Sequence, residues 1–144
     1  MAKEPQAIDF KELLHKANLR ATPARLALLR VLQNTGSPQT HAFLADALEE
    51  LGIDKATVFR NLNSLVEIGA VRRLDVGDHV WRYEWLGEKQ DSEHLHPHFV
   101  CTSCGEVDCL ESDQVRFNDR SKKDLAKRTN EIVLRGTCKN CDQE

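Results

Sequence analysis

The chain lacks any long apolar run. None of its 144 residues lies in a stretch approaching the ~18 apolar residues that a bilayer-spanning helix needs, so a helical membrane protein is excluded. Its start, Met1-Ala2-Lys3-Glu4-Pro5, has neither the apolar segment nor the small-residue cleavage site of a secretory signal, so a cytoplasmic location is expected. It also lacks an excess of positive charge. The formal net charge is -3, with eleven basic and eleven acidic side chains in residues 1–86 and nine against twelve in 87–144. A surface for phosphates must therefore come from the arrangement of basic residues on one face, not from bulk charge. No internal repeat, low-complexity tract or HExxH sequence is present. The five cysteines are odd in number, and a reducing compartment would keep their thiols from a stable disulfide framework.

What is present is a succession of amphipathic elements. Phe10, Leu13, Leu14 and Ala17 recur at helical spacing and predict a helix over Asp9 to Ala17. Thr22 followed by Pro23 reads as the N-cap and first position of a second helix that runs to about Asn34. Gly36-Ser37-Pro38 breaks the chain. Thr40 then caps a third helix carrying Phe43, Leu44, Ala47, Leu48 and Leu51 on one side, with Gly52 at its end. Asp54 caps a fourth, from about Lys55 to Ile68, which Gly69 stops. In that helix Val58, Leu62, Leu65 and Val66 form a core stripe. Thr57, Arg60, Asn61 and Ser64 recur at i, i+3, i+4 and i+7 on another face, a polar stripe able to hydrogen-bond. Ala70–Leu74 and Val80–Trp85 flank Asp75-Val76-Gly77-Asp78 as two strands and a turn. Helices followed by such a ribbon predict a winged helix-turn-helix over residues 1–86.

Residues 87–92, from Gly87 to Ser92, are polar and read as a hinge. Beyond it, residues 93–144 carry short strands at Phe99–Cys101 and Val107–Leu110, a helix from Gln114 to Lys127 and a strand over Glu131–Gly136. The whole is an α+β chain whose second, α/β unit is small. A core of that size needs a staple, and a metal ion is one of the few available.

Cys101-Thr-Ser-Cys104 and Cys138-Lys-Asn-Cys141 supply the ligands for one. Each CxxC turn brings two sulfurs together, and two turns complete a closed tetrahedral zinc site, with Gly105 fitting the tight knuckle. Four thiolates leave no open position, so such a zinc would be structural. The other readings are redox thiols and buried free cysteines. A thioredoxin-type CxxC sits at a helix start within a βαβ pattern, which is not found here.

His94-Leu-His96-Pro-His98 precedes the first CxxC, and in an extended segment His96 and His98 point the same way, as two ligands of one ion must. The alternative is a solvated, histidine-rich hinge. Cys109 lies outside any CxxC and alone reads as a small buried hydrophobe. Near His96 and His98, its thiolate would make a soft site that prefers zinc, whereas a carboxylate there would favour iron or manganese. Glu84, at the end of the wing, is a candidate fourth ligand; were it to reach across, metal would tie the wing to the second region.

The runs Arg20-Ala-Thr-Pro-Ala-Arg25, Ala56-Thr-Val-Phe-Arg-Asn-Leu62 and His96-Pro-His98-Phe-Val-Cys101-Thr-Ser-Cys104-Gly105, with the terminal CxxC, resemble the ferric uptake regulator family over nearly the whole chain. The resemblance implies an N-terminal winged helix, a C-terminal α/β dimerisation domain, a homodimer, a regulatory metal between the two regions, and repression of operator DNA when metal is bound. It implies that the helix matching Ala56–Leu62 enters the major groove, with Phe59 and Arg60 touching DNA beside Thr57 and Asn61. Phe59 stands where a tyrosine is usual, which removes a hydroxyl contact but keeps apolar contact with a thymine methyl. Arg60 would bind phosphate or a guanine edge, and Arg20 would meet backbone.

By the same resemblance the regulatory ligands carry over to Glu84, His96, His98 and, at a position usually held by Asp or Glu, Cys109. The family's histidine from the DNA-binding domain is replaced near Pro38, with His41 a few residues later as a substitute. Leu95 and Pro97 replace the ligands of another family site. These departures favour the zinc uptake regulators of the family, so structural zinc and a regulatory zinc are expected, with iron or manganese as the alternative. The competing functions are an iron-responsive or peroxide-sensing repressor, a thiol redox switch and, more distantly, a zinc hydrolase, for which no glutamate general base stands beside the ligands.

Overall fold

The computed structural model describes residues 8–87, 97–111, 113–116 and 125–143. Four helices open the chain, and their boundaries follow from caps. Helix α1 (Phe10–Lys16) begins at Asp9, whose carboxylate accepts the backbone N–H groups of Lys11 and Glu12. Helix α2 (Pro23–Thr35) begins at Thr22, whose hydroxyl accepts from Arg25 N–H, with Pro23 in the first turn. A two-residue strand β1 (Gln39–Thr40) leads into α3 (His41–Leu48), capped by Thr40, and a single 3-10 turn (Glu49–Leu51) follows. Helix α4 (Lys55–Glu67) is capped by Asp54 through Thr57 N–H, and Gly69 at φ 79 supplies the left-handed turn that ends it.

The predicted wing is present as β2 (Val71–Asp75) and β3 (Trp81–Trp85), antiparallel in the register Val71↔Trp85 to Asp75↔Trp81. Strand β1 adds to its other edge, giving the order β1-β3-β2; two residues are too few for any alternation to announce β1 in the sequence. One core joins the helices to the inner face of this sheet: Phe10, Leu14, Leu28, Leu29, Leu32, Leu44, Leu48, Val58, Leu62 and Leu65 pack with Val71 and Tyr83. Val66 is half-buried at its margin. Together these elements are a winged helix-turn-helix.

A second sheet has the order β5-β4-β6, from β4 (His98–Cys101), β5 (Val107–Cys109) and β6 (Val133–Gly136). Strands β4 and β5 are antiparallel, and β6 runs parallel to β4. The expected strand over Glu131–Gly136 is thus shorter at its start. The helix expected from Gln114 to Lys127 is corrected: a turn in which Glu111 N–H donates to the Gln114 side-chain oxygen and Gln114 N–H returns to the Glu111 carbonyl holds the chain there. Residues 117–124 lie outside the described residues, and helix α5 is the single turn Leu125–Arg128. The core under this sheet is Val100, Val107 and half-buried Val133, joined by Val76 from the wing turn. The expected hinge over residues 87–92 falls, apart from Gly87, outside the described residues. Among the described residues no helix is long and apolar enough to cross a membrane.

Helix α4 meets the rest of the winged helix through Val58, Leu62 and Leu65, all fully buried. Leu62→Ala should therefore cost about 2–5 kcal/mol of stability. Urea unfolding followed by circular dichroism measures it, and a midpoint equal to that of the parent would contradict this packing.

Candidate functional site

Two clusters of side chains that could hold a metal stand among the described residues, one at the end of the second sheet and one between the two sheets. The first is Cys101, Cys104, Cys138 and Cys141, whose sulfurs all lie within 4.8 Å of one another. Cys101 ends β4, the knuckle closes by Gly105 N–H onto the Cys101 carbonyl at 2.9 Å, and Gly105 has φ 77, a conformation that suits glycine. Strand β6 delivers the other pair, whose turn closes by Cys141 N–H onto the Cys138 carbonyl. Cys138 N–H also donates to the Cys101 sulfur at 3.3 Å.

The donor set fits zinc. Sulfurs bound tetrahedrally at ~2.3 Å from one ion sit about 3.8 Å apart, and the Cys104 and Cys138 sulfurs are 3.9 Å apart. Backbone N–H groups of Cys104 and Cys138 aimed at its sulfur lower the Cys101 thiol to about 6, so this thiolate forms readily. Thiol contacts from Cys138 and Cys104 push Cys141 up to about 12. Four crowded sulfurs resist joint ionisation unless a cation shares them.

The second cluster joins the two sheets. Glu84 is buried on β3, His98 is 1% exposed on β4, and Cys109 ends β5, their donor atoms within 4.8 Å of one another. His98 and Cys109 are a cross-strand pair in the β4–β5 register, so both side chains stand on one face. His98 Nε2 is 3.0 Å from Glu84 Oε2, and the Cys109 thiol donates to Glu84 Oε1 at 2.8 Å. Burial, and then that hydrogen bond to Glu84, push the Cys109 thiol well above its ordinary range. Sulfur, nitrogen and carboxylate oxygen around one point suit zinc, with three of four ligands among the described residues. His96 lies outside the described residues.

His41 does not join this cluster, contrary to the expectation that it substitutes for the missing ligand. Thr40 is the N-cap, so His41 takes the first position of α3. There its Nε2 lies 2.9 Å from the Lys55 carbonyl and its ring meets Phe59 edge-on, on the side of α4.

The polar stripe of α4 is narrower than expected. Phe59 and Arg60 are exposed, and Thr57 is half-buried with its hydroxyl accepting from Arg60 Nη2 at 3.4 Å. Asn61 is only 8% exposed. It follows Arg60 toward the Leu62 side of the helix, so the stripe loses a member to the core. Arg20 is exposed at the entry to α2, its carbonyl accepting from Arg25 Nη1.

Sequence reasoning missed the side chains that dock the wing. Arg82, 7% exposed, pairs with Asp78 at 2.8 Å and donates to the Gly105 carbonyl of the cysteine knuckle at 3.1 Å. The Arg82 guanidinium hydrogen bond holds the Asp78 carboxyl below its usual range. Arg135 on β6 donates to the Val76 carbonyl, and the Val76 side chain enters the second core. The available signal was parity: Arg82 and Glu84 are two apart on one strand and so share a face.

Comparison with known proteins gives one consistent result. The family model described as "Ferric uptake regulator family" matches residues 16–134. The chain is 30% identical over 142 residues to the ferric uptake regulation protein of Bacillus subtilis (strain 168), covering 92% of each. It is 29% identical over 154 residues to the peroxide-responsive repressor of Staphylococcus epidermidis, covering 100% of this chain and 99% of that one. Among solved structures it is similar to the Vibrio cholerae ferric uptake regulator, described by a rearrangement of its DNA-binding domains. That match has TM-score 0.70 and 31% identity, over 90% of this chain and 100% of the other.

Cys138→Ser should release zinc and unfold the second sheet, whose apolar core is a few valines, while the helices of the first region keep their circular dichroism signal. Native mass spectrometry reads both metal and assembly. A serine variant that dimerised normally would contradict the structural role assigned to these thiolates.

Proposed function

Because the chain belongs to the ferric uptake regulator family, whose members are metal-responsive transcriptional repressors and not enzymes, we propose that it is a zinc-responsive repressor acting as a cytoplasmic homodimer on operator DNA. In this reading Cys101, Cys104, Cys138 and Cys141 hold a structural zinc. Glu84, His98 and Cys109, with His96, hold the regulatory ion between the winged helix of residues 1–86 and the dimerisation domain of residues 93–144. Helix α4 enters the major groove with Phe59 and Arg60 toward the bases, Thr57 beside them and Arg20 on the backbone.

The observation that carries the proposal is the meeting of Glu84 with His98 and Cys109. One donor belongs to the wing, the other two to the second sheet. A bound ion supplies bonds that are strong only when all three donors converge. The angle between the regions, and so the spacing of two α4 helices in a dimer, then depends on occupancy. To move a 1:99 mixture of arrangements to 99:1 the ion must prefer the DNA-competent one by about 5.5 kcal/mol. Total binding free energies of zinc held by three or four side chains, on the order of 10 kcal/mol, leave room for a preference of that size. Cys109 supports zinc over iron, since a soft thiolate stands where the family usually has a hard carboxylate. The names of the relatives, which are ferric and peroxide regulators, support iron as the second reading.

Operator binding followed during titration with zinc, iron and manganese separates the two, and a response to iron alone would defeat the zinc assignment. His98→Ala should keep the fold and one thiolate-bound zinc per chain but lose metal-dependent binding; a retained response would move the sensor elsewhere. Arg60→Ala should weaken operator binding at least tenfold with metal content unchanged, the loss of about 1.4 kcal/mol or more that one good base or phosphate contact supplies.

A further inference from the structure

His41 stands outside both metal clusters, and its two contacts fall on the first turn of α4. A carbonyl oxygen only accepts, so the ring carries a proton on Nε2 and donates it to the Lys55 carbonyl at 2.9 Å. The same ring meets the Phe59 ring edge-on, with 5.7 Å between centroids and 74° between planes. Lys55 opens α4 and Phe59 follows four residues later, so the two contacts lie one above the other on a single helix face.

The mount of this ring is rigid. Thr40, one residue earlier, pairs with Arg82 in the β1–β3 register, and its hydroxyl accepts from Phe43 N–H to cap α3. Leu44 and Leu48 of α3 share the buried core with Val58 and Leu62 of α4. The backbone at His41 is therefore held by a strand pair on one side and a packed helix on the other. Phe59 has less to fix it. It is 47% exposed, and a helical phenylalanine so placed has two χ1 rotamers open to it. Without a hydroxyl it has no hydrogen bond with which to choose between them. Edge-to-face contact with a fixed ring makes that choice.

We propose that His41 is a positioning residue for operator recognition: it holds the Phe59 ring in the orientation that meets a thymine methyl group, and so sets a base preference without touching DNA. This rests on the reading of α4 as the helix in the major groove. The 5-methyl group marks thymine there, and an apolar ring reads it only through close contact. A ring fixed before docking loses little freedom on binding, whereas a ring free to turn away gains less from the same base. The Lys55 hydrogen bond sets the height of the His41 ring along α4, and the ring contact then sets Phe59.

The test uses the full-length, metal-loaded protein with an operator duplex selected from random sequence by the parent, the same duplex with each thymine in turn replaced by deoxyuridine, and a scrambled duplex. Deoxyuridine removes only the methyl group. The parent should lose about fourfold in affinity at one or more thymines, the worth of a buried methyl. Phe59→Ala should weaken operator binding and abolish that response. His41→Gln keeps an N–H at the reach of Nε2 but has no ring. It should weaken the thymine operator about three- to tenfold, the range an aromatic pair supplies, lose the response to deoxyuridine, and bind the scrambled duplex as the parent does. His41→Phe, which keeps a ring and lacks the donor, should recover the response to the methyl. In Phe59→Ala, adding His41→Gln should change nothing further. Metal content and far-UV circular dichroism should match the parent, and His41→Ala takes the place of His41→Gln where the amide disturbs either. A full deoxyuridine response in His41→Gln, with Phe59→Ala weakened, overturns the positioning role and leaves α4 in the groove. Equal weakening of operator and scrambled duplex overturns it as well, since a general loosening of α4 would do that. Parent-like binding by both Phe59→Ala and Arg60→Ala removes α4 from the groove and the proposal with it.

Discussion

A two-stranded ribbon with a different neighbour on each face is the constraint on which the rest of the molecule depends. Strand β3 buries Arg82, Tyr83 and Glu84 in succession, which a strand can do only when it is covered on both sides. The two-residue period then divides the work. Tyr83 enters the core of the helices, while Arg82 and Glu84 turn toward the second sheet. Any rotation of the second sheet against the wing must break contacts made by residues whose chain neighbours are locked in the helical core. The ribbon is therefore the element through which a change at the cysteine-rich end can reach α4.

The contacts on the outer face are polar, and that choice has consequences. A patch of valines between wing and sheet would hold the regions together under all conditions. Glu84 and His98 are instead buried groups that lose solvation on closing and regain it through each other and through the Cys109 thiol. Such a contact is close to balance, because the desolvation cost of buried polar groups offsets most of what they gain by pairing. A nearly balanced contact is one that a bound cation can tip. Arg82 differs, since its Asp78 partner comes from the same ribbon and its charge is compensated before it meets the Gly105 carbonyl. It orients the docked wing without needing an ion.

Much of the winged helix was legible in the chain because short-range signals agree with the long-range packing. Asp9, Thr22, Thr40 and Asp54 each cap the helix assigned to them, and the Val58, Leu62 and Leu65 stripe is buried. The paired CxxC motifs, and the grouping of Glu84 with His98 and Cys109, could be raised as expectations because metal ligands are a small chemical class. What failed was orientation about an axis. Asn61 lies at the boundary of two helical stripes, where periodicity leaves a residue's side undecided and packing chose the core. The resemblance offers His41 as a substitute ligand, but its place one residue after the Thr40 cap sets it against the Lys55 carbonyl at the start of α4. The docking of Val76 and Arg82 was hidden because a turn valine and a strand arginine carry no signal of their partners until the two sheets are set side by side.

The two clusters of metal ligands are not independent, because β4 belongs to both. His98 opens the strand and Cys101 closes it, so they sit three residues apart on four residues of backbone. His98 faces Cys109 only in the register that also pairs Phe99 with Asp108 and Val100 with Val107. Slipping that register by one residue would turn Cys109 to the other face of the sheet and carry it away from Glu84. Three valines and a short hydrogen-bond ladder are weak protection against such a slip in a sheet this small. The cysteine cluster supplies what they lack: Cys101 and Cys104 pin the β4 end of the knuckle to Cys138 and Cys141, just beyond β6. The geometry of the four-cysteine cluster thus bears on the register that brings His98 and Cys109 to Glu84.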